Sequence, residues 1–280
     1  MLGAVAYDPK VVTIWEGFKA WLRARALDFD FVLYSHYERQ VDDLVDGRID
    51  IAWNSPLAWI RATRLAAARG LAVQPVAMRD SDRDLTSVIV VPADSGIGAP
   101  ADLRGRVVAT GAVDSPQATL LPLSLLRRAG LDPDVDLRVR RFDVGVGLHG
   151  DHIGGERDAA QALRRRDADA ACMIDGNLLL FGREGTLPAG SVRVIAQTPP
   201  YDHCMMTAGP AADPGALHSF SRALLGMDYA DDDARPLLDL EGLKQWLPPR
   251  TEGYVALAQA VDETGFYNAE GAPGARDYRP

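Results

Sequence analysis

Short apolar segments alternate with longer amphipathic segments, and this alternation constrains the fold more than any other feature. Apolar segments of strand length occur at 3–7, 31–34, 49–53, 87–91, 106–110, 137–141, 168–174 and 192–196. The segments between them carry apolar residues at helical spacing. In 12–23, for example, one face carries Ile14, Trp15, Phe18 and Trp21. The pattern predicts an α/β fold with mostly parallel sheets.

The order of these segments predicts two lobes rather than two consecutive domains. Residues 84–196 form one series of strands and helices, while 1–83 and 197–280 together form the other. The chain would then cross twice between the lobes, which creates a hinge and an interlobe cleft for a small ligand. The last ten residues are rich in Gly and Pro, and we expect them to form a loosely held tail.

Composition and charge exclude several classes of protein. Of the 280 residues, 47% are hydrophobic and 25% are charged, which is typical of a globular protein with a substantial core. The net charge of −9 argues against nucleic acid or an anionic membrane surface as a partner, and the apolar runs are too short for membrane insertion. The N-terminus resembles a buried strand rather than a signal peptide. We therefore expect a cytoplasmic protein, or a periplasmic or extracellular one if a leader has been removed.

The two cysteines, Cys172 and Cys204, are too few for a disulfide framework and form no CxxC motif. Free cysteine is readily buried in cores, so we predict two structural thiols. Cys204 follows His203 directly, but it would act as a nucleophile only with a base that the fold brings to it.

A glycine-rich segment, 145–156, holds a cluster of metal-binding residue types. His149 and His152 are three residues apart, and Glu156 follows four further on. Imidazole and carboxylate groups bind borderline divalent metals, and His203 could complete the set. The candidate ligands of an iron or zinc ion are therefore His149, His152, Glu156 and His203. The alternative is that these side chains satisfy a glycine-rich loop and contact a ligand, because their spacing matches no established metal motif.

Three segments carry a resemblance to a known family. The first, 34–59, contains a tyrosine followed by a predicted helix, then Gly-Arg-Ile-Asp-Ile-Ala and a turn of small residues. The second, 102–122, begins Asp-Leu-Arg-Gly-Arg, and the third is 155–175. Over roughly residues 3–207 the chain resembles the phosphonate/phosphite-binding branch of the type II periplasmic binding proteins. The resemblance implies two α/β lobes, two crossovers, a small ligand in the cleft and, if the protein is exported, an ABC permease as partner.

The resemblance also implies ligand contacts from both lobes and from the returning crossover. These contacts are Tyr7, Tyr37, Asn54, Ser55, Trp59, Ser115, Gln117, Asp175 and Asp202. The segment at Ser115 corresponds to the helix N-terminus where the family holds its anionic ligand. Asp202 falls where the family has an acidic residue for its ligand's amine.

Two departures from the family pattern bear on the ligand. Where the family has Ser-Thr-Ser, this chain has Ser115-Pro116-Gln117, in which proline removes one N–H donor. Where the family has a Gly-His pair, this chain has Gly155-Glu156, and a carboxylate repels a phosphonate oxygen. We therefore expect a small organic ligand other than a simple phosphonate.

Two functions remain open on these grounds. The first is solute binding of the kind that supplies an ABC transporter. The second is a cytoplasmic enzyme on the same fold, as in chorismate dehydratase, the thiamine pyrimidine synthase and a desulfinase, although the chain lacks the signature residues of those three families. In the enzyme, Glu156 would be the general base and His152 a proton carrier or metal ligand.

Overall fold

The computed structural model describes residues 1–150 and 153–280. The strands are β1 (Leu2–Val5), β2 (Phe31–Tyr34), β3 (Ile51–Asn54), β4 (Gln74–Arg79), β5 (Ser87–Pro92), β6 (Val107–Thr110), β7 (Arg138–Arg141), β8 (Ala170–Ile174), β9 (Val192–Gln197), β10 (Met205–Ala208) and β11 (Trp246–Leu247). The helices are α1 (Lys10–Arg23), α2 (Tyr37–Val45), α3 (Pro56–Ala68), α4 (Leu121–Arg128), α5 (Glu156–Arg164), α6 (Asp175–Glu184), α7 (Pro214–Leu225), α8 (Arg235–Glu241) and α9 (Val255–Thr264). Among the described residues, no helix is both long and apolar enough to span a membrane.

The strands form two sheets, in the orders β11-β4-β10-β3-β1-β2 and β7-β6-β8-β5-β9. The first sheet takes its strands from residues 2–79 and 205–247, and the second takes its strands from residues 87–197. The α/β fold with two lobes is confirmed, while the lobe boundaries themselves stay a prediction.

Both sheets are mixed rather than mostly parallel. β1 runs parallel to β2 and β3, and β6 runs parallel to β7 and β8. β10 is antiparallel to β3 and β4, and β5 is antiparallel to β8 and β9. The first crossing explains one of these pairs: β4 takes the chain out of the first sheet and β10 brings it back beside β4, so the two run in opposite directions.

The two crossing segments are bonded to each other. Leu85 and Tyr201 exchange backbone N–H···O bonds of 2.9 and 2.8 Å. Beside them, the Ser87 and Tyr201 hydroxyls lie 2.8 Å apart, and the Ser87 N–H donates to the Thr198 hydroxyl. These bonds join the two crossings into a short two-stranded connection between the lobes.

Helix α1 packs on the first sheet through the face that its sequence predicts. Trp15 and Phe18 are almost completely buried, and their rings lie 5.4 Å apart. The Phe18 ring also meets Trp246 edge-on at 6.1 Å, so α1 contacts the edge strand β11 across the core.

The segment after α9 is not a loose tail, so that expectation was wrong. Tyr267 and Tyr278 are only 1% and 2% exposed and pack with Phe266, whose ring centroid lies 4.9 and 4.8 Å from theirs. Burial of these rings outweighs the flexibility of the intervening glycines and proline. The prediction of two structural thiols is confirmed, since Cys172 and Cys204 are both buried.

We predict that Phe18→Ala lowers the free energy of unfolding by about 3–5 kcal/mol, because it leaves a cavity among aromatic rings. The control is Val12→Ala on the same helix, since Val12 is 47% exposed; its cost should stay below about 0.5 kcal/mol. Urea unfolding followed by circular dichroism measures both. Equal losses in the two variants would contradict this packing.

Candidate functional site

Two helices begin in the space between the sheets, one from each lobe. Ser55 caps α3, with its Oγ accepting from the Ala58 N–H at 3.1 Å. Ser115 caps the π-helical turn that leads into α4, with its Oγ accepting from the Ala118 N–H at 3.1 Å. In both cases a proline follows the serine and takes the first helical position, where no N–H is needed. Both serines are fully buried.

The glycine-rich segment contacts both helix starts. His149 Nδ1 lies 2.6 Å from Ser55 Oγ. Gly150 lies against Ser115, so closely that a Cβ at residue 150 would come within 2.5 Å of Ser115 Oγ, and its carbonyl accepts from Gln117 Nε2 at 2.8 Å. His149 has φ of 52°, a strained conformation for a side chain of this size. Residues 149 and 150 thus occupy the place between the two helix N-termini.

Glu38 holds the other side of the His149 ring. Its Oε1 lies 3.2 Å from His149 Nε2 and accepts hydrogen bonds from the hydroxyls of Tyr267, at 2.7 Å, and Tyr278. Burial opposes ionisation of Glu38, but the charge interaction with His149 and these hydrogen bonds outweigh it and lower its pKa to about 2. Tyr37 stacks on the imidazole at 4.7 Å.

Asp114 fixes the backbone of the same segment. One of its carboxylate oxygens accepts from the N–H groups of Gly147 at 2.7 Å and His149 at 3.0 Å. Burial raises the pKa of Asp114, although these bonds and the charge interaction with His149 oppose the rise.

Glu156 is a fully buried carboxyl group at the start of α5. Its Oε2 accepts from the Ile174 N–H at 3.0 Å and from Asn177 Nδ2 at 2.8 Å. Burial raises its pKa to about 7, because these hydrogen bonds only partly compensate for the loss of water. At neutral pH the group is therefore a mixture of acid and carboxylate.

Buried oxygen atoms without a hydrogen-bond donor concentrate in this region. Within the described part of the chain, the atoms of this kind at or beside the site are Glu38 Oε2, Gln40 Oε1, Asp114 Oδ1, Gln117 Oε1 and Glu156 Oε1. Buried polar atoms are normally paired, so these acceptors mark places where a ligand or water can donate.

The structure brings together four of the predicted ligand contacts, since Tyr37, Ser55, Ser115 and Gln117 all surround residues 149 and 150. Asn54 adjoins them at the end of β3.

Asn54 is fully buried and its Oδ1 accepts from Gln40 Nε2 at 2.9 Å. Tyr7 is partly buried beyond the end of β1. Trp59 packs in an apolar cluster, 6.1 Å from the Tyr254 ring, which gives it a packing role in this state.

The two predicted acidic contacts have protein partners. Asp175 begins α6 and accepts from the Thr86 hydroxyl at 2.7 Å beside the hinge. Asp202 is almost completely buried and accepts from Arg250 Nε at 2.6 Å and from the Asp84 N–H at 3.2 Å. Asp202 thus serves here as the buried half of an ion pair.

The predicted metal ligands lie in separate environments. His149 and Glu156 have the partners given above, and His203 Nδ1 lies 3.1 Å from Cys204 Sγ. His152 lies outside the described residues. Within the described part of the chain, the one group of three potential ligands that come close together is Asp82, His203 and Cys204, and it shares only His203 with the prediction.

Several residues that build the site were missed by the sequence analysis. Glu38, Asp114, Tyr267 and Tyr278 were not among the candidates. Glu38 follows the candidate Tyr37 in sequence, and Asp114 precedes the candidate Ser115. An acidic residue next to a predicted contact is the signal that would have found them. The tyrosines lie 229 and 240 residues from Glu38, and no local pattern encodes that contact.

A family model matches residues 4–254, and it describes a periplasmic substrate-binding protein of a phosphonate ABC transporter. The chain belongs to this family. The resemblance stated from the sequence is thereby confirmed. The chain matches none of the curated proteins.

Several solved structures share the fold. PhnD1 from Prochlorococcus marinus in complex with methylphosphonate superposes with a TM-score of 0.69 at 15% identity, covering 94% of this chain and 97% of that one. XAC2383 from Xanthomonas citri bound to ATP gives 0.70 at 18%, covering 94% and 96%. The aliphatic sulphonate-binding protein SsuA from Escherichia coli gives 0.55 at 18%, covering 100% and 94%.

We predict that Glu156→Gln removes a pH dependence of stability. Because the pKa is raised from 4.5 to about 7, the folded state holds this proton more tightly than the unfolded state. Its stabilising contribution is complete below about pH 4.5 and is lost as the pH rises through 7. Between pH 5 and 8 the wild type should lose up to about 3 kcal/mol relative to Glu156→Gln in urea unfolding. Asp158→Asn, on the same helix, should keep the wild-type profile; parallel profiles for wild type and Glu156→Gln would contradict the assignment.

We also predict that Arg250→Met lowers the free energy of unfolding by about 2 kcal/mol or more, because Asp202 then stays buried without its cation. The control is Arg157→Met, whose ion pair with Glu184 is partly exposed and should be worth about 0–1 kcal/mol. Thermal and urea unfolding compare them. A neutral Arg250→Met would show that Asp202 does not depend on this partner.

Proposed function

We propose that this protein binds a small organic solute between its two lobes, at the helix starts of Ser55 and Ser115, and delivers it to an ABC permease. The observation that carries the proposal is the approach of two capped helix N-termini from opposite lobes to one buried place. Helix N-termini present N–H donors and positive potential to an anionic group. The family description supports a periplasmic location over the cytoplasmic expectation.

The polar atoms around this place favour a ligand that also donates hydrogen bonds. Asp114, Gln117 and Glu156 each have one buried acceptor oxygen without a close hydrogen-bond donor among the described residues. Carboxylates at two of these positions repel a bare dianion, whereas an amine or hydroxyl group of the ligand would pair with them. The ligand we propose therefore combines a small anionic group with N–H or O–H donors.

Binding must replace contacts that the protein makes with itself. His149 lies against Ser55, and Gly150 lies against Ser115 and accepts from Gln117. A ligand at the two helix starts would take over these partners, which requires the segment at 149–150 to withdraw. The strained φ of His149 lowers the cost of that withdrawal, because the strain is released with it.

A pair of probes that differ by one ammonium group tests the ligand class. An aminoalkylphosphonate should raise the unfolding temperature, because saturation of the native state stabilises it by about 2.7 kcal/mol at 100 times Kd. At pH 8, where the ionised form of Glu156 predominates, methylphosphonate should give a smaller shift with the wild type than with Glu156→Gln. Tighter binding of methylphosphonate than of the aminoalkylphosphonate to the wild type would contradict the proposed class.

Two serines on one helical segment test the location. Ser115→Ala removes the cap at the proposed site, while Ser124→Ala removes a buried hydroxyl of α4. In isothermal calorimetry with the aminoalkylphosphonate, Ser115→Ala should weaken binding about tenfold and Ser124→Ala should leave it unchanged, since a lost hydrogen bond to a charged group costs about 1.5 kcal/mol or more. An equal effect of the two variants would place the ligand elsewhere.

The enzyme alternative also draws on Glu156, because a buried carboxyl group with a pKa of about 7 suits acid–base catalysis. Mass spectrometry of the probe after incubation separates the two functions. Recovery of unchanged aminoalkylphosphonate supports binding, and a product that disappears with Glu156→Gln would favour the enzyme.

A further inference from the structure

A second cluster of reactive side chains lies in the first lobe, beside the hinge. It consists of Asp82, His203 and Cys204, with Arg79 behind them. The return crossover brings His203 to the turn after β4, where its N–H donates to the Asp82 carbonyl at 2.8 Å. Asp82 and Cys204 are 2% and 4% exposed, so the group is enclosed by protein.

The spacing of the three side chains is that of metal ligands. His203 Nδ1 lies 3.1 Å from Cys204 Sγ and 3.6 Å from Asp82 Oδ1, and all three ligand atoms lie within 4.8 Å of one another. Tetrahedral zinc with sulfur, nitrogen and oxygen ligands sets neighbouring ligand atoms about 3.3–3.6 Å apart. Small side-chain adjustments would therefore place an ion at bonding distance from all three.

The surrounding charges accommodate a cation. Arg79 donates to both oxygens of Asp82, at 2.6 and 2.9 Å, and contacts Glu241 at 3.2 Å. One guanidinium thus faces two buried carboxylates, and a metal ion next to Asp82 meets a net negative set. Arg79 also fixes the Asp82 carboxylate in place, and the Tyr254 hydroxyl donates to the His203 carbonyl at 2.8 Å. Such outer contacts hold ligands in orientation.

We propose that Asp82, His203 and Cys204 form a binding site for a borderline divalent metal ion, with zinc as the best match. A thiolate, an imidazole and a carboxylate form a set that suits zinc and leaves a fourth position for water or another ligand. Binding releases the thiol proton of Cys204, so affinity should rise with pH. The site is separate from the helix starts of the proposed ligand site and does not depend on that function.

Cobalt(II) chloride is the probe, because thiolate coordination gives cobalt a near-ultraviolet charge-transfer band. The full chain, reduced and free of any histidine tag, should develop this band and saturate at one equivalent of cobalt, and zinc should remove it. Cys204→Ser should abolish the band. The matched control is Cys172→Ser, which should retain it, because Cys172 is the other buried cysteine and lies on β8 in the second sheet.

His203→Gln should weaken cobalt binding at least tenfold. If Cys204→Ser does not fold, the wild-type spectrum and the affinity of His203→Gln for cobalt together test the proposal. Absence of the band in the wild type would overturn the proposal. Retention of the band in Cys204→Ser, or an unchanged affinity in His203→Gln, would also overturn it. Exposed histidines elsewhere cannot mimic the signal, because they supply no thiolate.

Discussion

Two backbone hydrogen bonds between Leu85 and Tyr201 join the two crossings of the chain, and the arrangement of the molecule depends on this junction. It sets the points at which β5 and β10 enter their sheets. Each of these strands runs antiparallel to a neighbour, β5 to β9 and β10 to β4. It also holds the lobes together at one end, so that the helices after Ser55 and Ser115 begin in the same enclosed space. The separate cluster also spans the two crossings, since Asp82 follows β4 and His203 and Cys204 precede β10.

Local features of the sequence predicted much of this. The apolar face of α1 identified Trp15 and Phe18 as core residues because helical spacing is encoded within a few residues. Ser55 and Ser115 were found because the family resemblance places ligand contacts at these positions, and in the structure each serine caps a helix start where a proline follows it. The family resemblance rests on segments of the same kind, in which strand, turn and helix follow one another without long-range contacts.

Contacts between distant parts of the chain could not be predicted. The direction of β10 depends on which strand it pairs with, and the residues of β10 do not indicate that partner. Asp202 matched a ligand position, but its partner in the fold is Arg250, which is 48 residues away. Arg250 supplies the positive charge that the ligand's amine was expected to supply. Likewise the spacing of His149 and Glu156 suggested one site, while the fold gives each its own hydrogen-bond partners.

The pairing of Glu38 with Tyr278 spans 240 residues and has a consequence for biosynthesis. At about 5–20 residues per second, a ribosome takes roughly 10–50 s to add the residues between them. During that interval the nascent chain carries Glu38 without the tyrosine hydroxyls that stabilise its charge. The neighbouring strands β1, β2 and β3 can therefore pair early in translation, whereas the first sheet needs β10 and β11 to be complete. The packing around His149 becomes complete only when synthesis has passed residue 278.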